Sequence, residues 1–109
     1  MMPVIPSSDY YRLEYIATYF DEAPQVRKLV EEMGELIRAC MRWLNREVRP
    51  DQVNVDNFAE ECADVLLMLQ QVITLMKFRT TVKRIYEKKL NKVFNLVAQI
   101  ENGEFDDVL

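Results

Sequence analysis

The sequence predicts an all-α fold, a four- to five-helix bundle built round two long antiparallel central helices. Three observations lead there. Glycine occurs twice and proline four times in 109 residues, far less turn punctuation than a β-sandwich or a doubly wound sheet needs. Apolar residues recur at helical spacing through most of the chain instead of alternating. Half the residues are hydrophobic and 29% are charged, the composition of one folded domain over residues 1–109 rather than of a disordered chain.

The elements follow in order. Pro3 and Pro6 keep residues 1–6 extended. Ser7 or Ser8 is the expected N-cap of a first helix reaching Phe20, with Leu13, Ile16, Ala17 and Phe20 on one face. Asp21, Glu22 and Ala23 read as a break, and Pro24 suits the first turn of the next helix. That helix covers residues 25–46, with Val26, Leu29, Val30, Met33, Leu36, Ile37, Cys40 and Leu44 as its apolar stripe. A loop of about ten residues follows, rich in turn formers. Asp56 is the expected cap of a third helix, whose stripe is Phe58, Cys62, Val65, Leu66, Leu69, Val72, Ile73 and Met76. A turn is expected at residues 79–81. A last helix then runs to Asn102, with Gly103 beyond its end and an acidic, frayed tail over residues 103–109.

Charge and composition exclude several functions. The formal net charge is −4, which argues against a nucleic-acid partner. The longest apolar run, residues 65–69, is too short to cross a membrane. The first residues lack the basic and apolar regions of a secretory signal, and two cysteines make no disulfide framework, so the expected location is cytoplasmic. Cys40 and Cys62 read as plain core residues. Histidine is absent, which removes imidazole bases, the common catalytic triads and the usual zinc sites.

The chain echoes itself. Residues 31–44, EEMGELIRACMRWL, and residues 60–73, EECADVLLMLQQVI, align at an offset of 29 with five apolar positions matched. Each begins with a pair of glutamates and has an acid three residues after the second. At ~100° per residue, Glu32 and Glu35 share one flank of their helix, as do Glu61 and Asp64. Both pairs fall on the same side of their apolar stripes, so antiparallel packing brings them towards one another. Glu31 with Glu35, and Glu60 with Asp64, are like-charge i,i+4 pairs, while Lys28 reaches Glu31 or Glu32 and Arg38 reaches Glu35. Carboxylates gathered at a partly buried edge require raised pKa values or a cation. An all-oxygen ligand set without histidine suits Mg2+, with Mn2+ also possible, and excludes a ferritin-like di-iron centre.

Basic charge is segregated too. Lys77, Arg79, Lys83, Arg84, Lys88, Lys89 and Lys92 crowd into sixteen positions opposed by Glu87 alone. Most of them make a solvated face, and one or two lysines beside a divalent cation would suit a polyphosphate substrate.

With these motifs in place, the chain resembles the MazG-type all-α nucleoside triphosphate pyrophosphatases. The signature is E-x-x-E followed by E-x-x-D, here Glu32-Met33-Gly34-Glu35 and, after a gap of 25, Glu61-Cys62-Ala63-Asp64. QVRKLVEEMGEL and EECADVLLML resemble the words around it, and the likeness covers about residues 20–95. It implies hydrolysis of a nucleoside triphosphate to the monophosphate and pyrophosphate, as nucleotide-pool house-cleaning. It implies Mg2+ held by Glu32, Glu35, Glu61 and Asp64, with Glu31 and Glu60 behind the ligands or serving as base for the attacking water. Lys89 fits the family's phosphate-contacting lysine in EKKLNKV, but the following asparagine or arginine position is Val93, so Asn91, Lys92 or Asn95 would have to substitute. Lys28 is a further substrate-binding candidate. Trp43 is a candidate base-stacking residue, as are Tyr10, Tyr11, Tyr15, Tyr19 and Phe20, although aromatics at helical spacing more often serve packing. The resemblance also implies a homodimer or homotetramer, which the abundance of apolar surface favours. A second class of function stays open at this point, a non-catalytic helical adaptor docking a basic partner on its acidic faces.

Overall fold

The computed structural model describes residues 9–103, and the described residues are helical with no strand. Four α-helices follow one another: α1 (Tyr10–Tyr19), α2 (Glu22–Leu44), α3 (Val55–Met76) and α4 (Arg79–Glu101). A single 3-10 turn, Pro50–Gln52, interrupts the α2–α3 connection. The expected extended segment at residues 1–6, the caps Ser7 and Ser8, and the tail after Gly103 lie outside the described residues. No helix among those described is long and apolar enough to cross a membrane.

Local chemistry sets the boundaries. Gln25, buried near the start of α2, donates from Nε2 to the carbonyls of Ala17 and Phe20 at 2.9 Å each. It thereby satisfies carbonyl groups that the end of α1 leaves without intrahelical partners. Asn54, rather than Asp56, caps α3: its side chain accepts from the Asn57 N–H at 3.0 Å. Asp56 lies inside the first turn, where its charge suits the positive end of the helix dipole. The turn expected at residues 79–81 falls earlier, because Lys77 adopts the left-handed conformation with φ 58° and ends α3. Arg79 already begins α4. Gly103, with φ 74°, stands just past the end of α4 as expected.

α3 is the central element. α2 packs along it as the antiparallel partner and α1 packs against it from another side. Gln70, Gln71, Val72 and Ile73 are buried in succession, which on a helix means enclosure on every side. Leu13, Ala17 and Ala39 are the other buried hydrophobic residues among those described. The core is therefore thin.

Three expectations about facing are corrected, the first on α3, where Leu66, Leu69 and Met76 of the expected stripe are exposed while Gln70 and Gln71 are buried. Phe20 is exposed rather than packed with Leu13 and Ala17. On α2 the face turned to α3 carries Gln25, Glu32 and Ala39, with Leu29 and Leu36 half-buried, while Val26, Val30, Met33, Ile37 and Leu44 stand exposed. The apolar arc of α2 is wider than one neighbour can cover, and the carboxylate of Glu32 goes inward with the narrower part. The radius of gyration of 17.5 Å exceeds the ~13 Å of a compact chain of this length.

Candidate metal centre

The two acidic motifs meet. Glu32 from α2 and Glu61 and Asp64 from α3 each bring one carboxylate oxygen to within 4.8 Å of the others. Helical phase explains the convergence. Glu32 points from α2 towards α3, Glu61 points back, and Asp64 lies ~60° to one side and one turn along. Glu35, at the same offset from Glu32, reaches Glu61 closely enough to act on its protonation. All four predicted ligands thus gather along one edge of the α2–α3 seam.

The electrostatics is unbalanced. Glu32 is 8% exposed, and Glu61, Asp64 and Glu35 are half-buried. Oε2 of Glu32 and Oε2 of Glu61 are buried with no hydrogen-bond partner. Burial pushes the Glu61 carboxyl above its ordinary range, and the charges of Glu35, Asp64 and Glu32 push it the same way. Positive charge is available at one end. Lys28 Nζ lies 3.2 Å from Glu31 Oε1 and 3.3 Å from Glu32 Oε1, and those bonds, the one to Glu31 foremost, hold the ammonium above its ordinary pKa. Arg38 is 3.9 Å from Glu35. Cations on one flank leave the inner oxygens facing each other, the arrangement that a hard divalent ion relieves.

Glu31 and Glu60 are exposed at the rim, and Glu31 is tied to Lys28. Lys89 and Asn91 stand exposed on α4; among the described residues no hydrogen bond or ion pair joins either to the cluster. Trp43 lies farther along the same face of α2 as Glu32, with the Arg46 guanidinium 3.6 Å from its ring centroid. The Arg79 guanidinium lies 4.5 Å from the Tyr10 ring centroid, and Tyr10, Tyr11, Tyr15 and Tyr19 are all exposed on α1, Tyr10 the least.

Sequence reasoning singled out Trp43 and passed over Ala39, Asn57 and Gln70. Ala39, Trp43, Asn57 and Phe58 line a crevice of about 10 Å³, one turn beyond Glu35 and Glu61. Asn57 stands four residues before Glu61, a spacing that alone sets it on the same flank. Gln70 and Arg79 form a separate network: Arg79 donates to Gln70 Oε1 at 3.3 Å and to Thr74 Oγ1 at 2.6 Å. A larger cavity of about 320 Å³ is lined by Arg12, Leu13, Ile16, Leu66, Leu67 and Gln70. Leu66 and Gln70 lie ~140° and ~180° round α3 from Glu61, so this cavity opens away from the carboxylates and has no part in their chemistry. Cys40 and Cys62 are half-buried free thiols. No protein-family model, curated protein or solved structure matches the chain.

Proposed function

We propose that the protein is a divalent-cation-dependent nucleoside triphosphate pyrophosphohydrolase, converting (d)NTP and water to (d)NMP and pyrophosphate. The observation that carries this reading is the pair of buried, unpartnered oxygens, Glu32 Oε2 and Glu61 Oε2, within a group of three carboxylates whose ligand atoms lie within 4.8 Å of one another. The donor set is hard and anionic, and it fits Mg2+ or Mn2+. The resemblance of both motifs and their surrounding words to MazG-type enzymes supplies the reaction class.

Glu32, Glu61 and Asp64 would hold the cation, with Glu35 completing the set from the facing helix. When bound, the cation would neutralise phosphate charge and lower the pKa of a coordinated water. The chain's own residues have distinct work. The fixed phase of α2 against α3 holds four carboxylates in one place before substrate arrives, so little reorganisation accompanies binding. Lys28 offers a phosphate-neutralising ammonium beside them. Glu31 and Glu60, exposed at the rim beside the ligands, are the carboxylates left to take a proton from an attacking water. Trp43 and the crevice beside it mark the direction in which a nucleobase would lie. Lys89 and Asn91 remain candidates for phosphate contact from α4. The exposed apolar stripe of α2 supports a homodimer or homotetramer.

The deciding experiment measures pyrophosphate release from a panel of common and damaged (deoxy)nucleoside triphosphates with Mg2+ or Mn2+. Turnover that Glu35→Gln or Asp64→Asn abolishes supports the reading. No turnover of any triphosphate with either ion overturns it and leaves the adaptor reading in its place.

A further inference from the structure

α4 carries no buried residue along its 23 positions, yet it is not a polar helix. Tyr86, Leu90, Val93, Val97 and Ile100 are all exposed, Leu90 by 53%, and Phe94 beside them by 70%. Their spacing of four, three, four and three is the heptad seam of a coiled coil, sustained over two turns on either side of Val93. Within its own chain α4 packs mainly against α3, anchored by Arg79 at its first position through Gln70 and Thr74. Among the described residues, nothing covers the seam.

We propose that α4 pairs antiparallel with α4 of a second copy of this chain. Charge along the helix decides the orientation. The first half holds Arg79, Lys83, Arg84, Lys88, Lys89 and Lys92, against Glu87 alone, whereas residues 93–101 hold Glu101 as their sole charge. The sequence beyond adds Glu104, Asp106 and Asp107. A parallel pair would set both basic halves side by side, and like charges across a helix seam repel. An antiparallel pair sets each basic half against the neutral and acidic half of its partner.

The register follows from matching each layer of one helix with the alternate layer of the other. Leu90 meets the partner's Val93, Tyr86 meets the partner's Val97, and Ile100 lies against the aliphatic stem of the partner's Lys83. The ammonium of that lysine then reaches Glu101. The contact is isologous, so it closes as a two-fold dimer without open-ended growth. It adds the α4 seam to the exposed stripe of α2 as a surface for self-association and stands whether or not the acidic cluster binds a metal.

Cysteine cross-linking of the full-length protein tests the orientation, with the parent chain carrying Cys40 and Cys62 as control. Under mild oxidation, Tyr86→Cys with Val97→Cys in one chain gives a covalent dimer, while Tyr86→Cys alone and Val97→Cys alone do not. In parallel, Val93→Asp weakens self-association roughly a hundredfold, read as a shift to smaller solution mass by light scattering. Each single-cysteine variant cross-linking to itself would mean a parallel pair and overturn the proposal. No cross-link in the double variant, or an unchanged mass for Val93→Asp, would overturn it also, by showing the seam empty or covered by another element.

Discussion

Glu61 on α3 faces Glu35 on α2, and that second carboxylate is among the causes that raise the Glu61 pKa, after burial itself. A carboxyl raised in the folded state binds its proton more tightly there than in the unfolded chain. Its contribution favours folding fully below the unfolded value near 4.5 and is lost as pH rises through the higher folded value. Without divalent ions, the melting temperature should therefore fall over that interval. Glu61→Gln removes the charge and should flatten this dependence and raise the melting temperature of the apo protein at pH 7. A lower melting temperature for that variant would show that Glu61 is stabilising as it stands.

Divalent cation should reverse the same imbalance. Mg2+ or Mn2+ at a hundred times its dissociation constant should stabilise the protein by about 2.7 kcal/mol, with uptake of metal releasing protons in weakly buffered solution at mildly acidic pH. Glu32→Gln and Asp64→Asn should lose both effects. Calorimetric titration and thermal melts with and without chelator check them together.

Gln25 ties α1 to the bundle. It is 3% exposed and holds two carbonyls at the end of α1. Gln25→Ala leaves those acceptors without their donor and should cost about 1–3 kcal/mol in urea unfolding. Limited proteolysis should then cut first near Phe20, with α1 released before α2 or α3.

Arg79 bonds to Gln70 and Thr74 and covers the ring of Tyr10, so it joins α1, α3 and α4 at one point. Arg79→Ala should destabilise by about 1–3 kcal/mol, since it takes the donor from Oε1 of the buried Gln70. Arg79→Lys should recover little of this, because an ammonium cannot bridge two acceptors while lying flat on an aromatic face.

Lys77 holds φ at 58°, a conformation that costs a residue with Cβ about 1–2 kcal/mol. Lys77→Gly should raise the urea midpoint without changing the slope of the transition. A lower midpoint would show that the lysine side chain contributes more than its backbone strain removes.

Periodicity made the four helices legible in the sequence, and helical phase made the meeting of Glu32, Glu61 and Asp64 legible, since antiparallel packing of repeated motifs leaves few other outcomes. The facing of α2 was not. Its apolar residues spread across an arc too wide for one neighbour, and only packing on α3 decides that Leu29, Leu36 and Ala39 turn inward while Val30 and Ile37 stay out. Asn54 and Asp56 are equally good caps by type, so the choice rests on where the chain leaves the 3-10 turn. Gln25 opens the word QVRKLVEEMGEL and Arg79 belongs to the basic run, but no spacing rule announces the hydrogen bonds by which they tie neighbouring helices together.

The joint between α2 and α3 is only residues 45–54. A connection so short closes within ~10–100 ns and its helices form within ~1 μs, far faster than a free ion at micromolar concentration can be captured. The hairpin must therefore zip up against its own repulsion, and refolding with or without chelator should proceed at one rate while the lifetime of the finished fold differs.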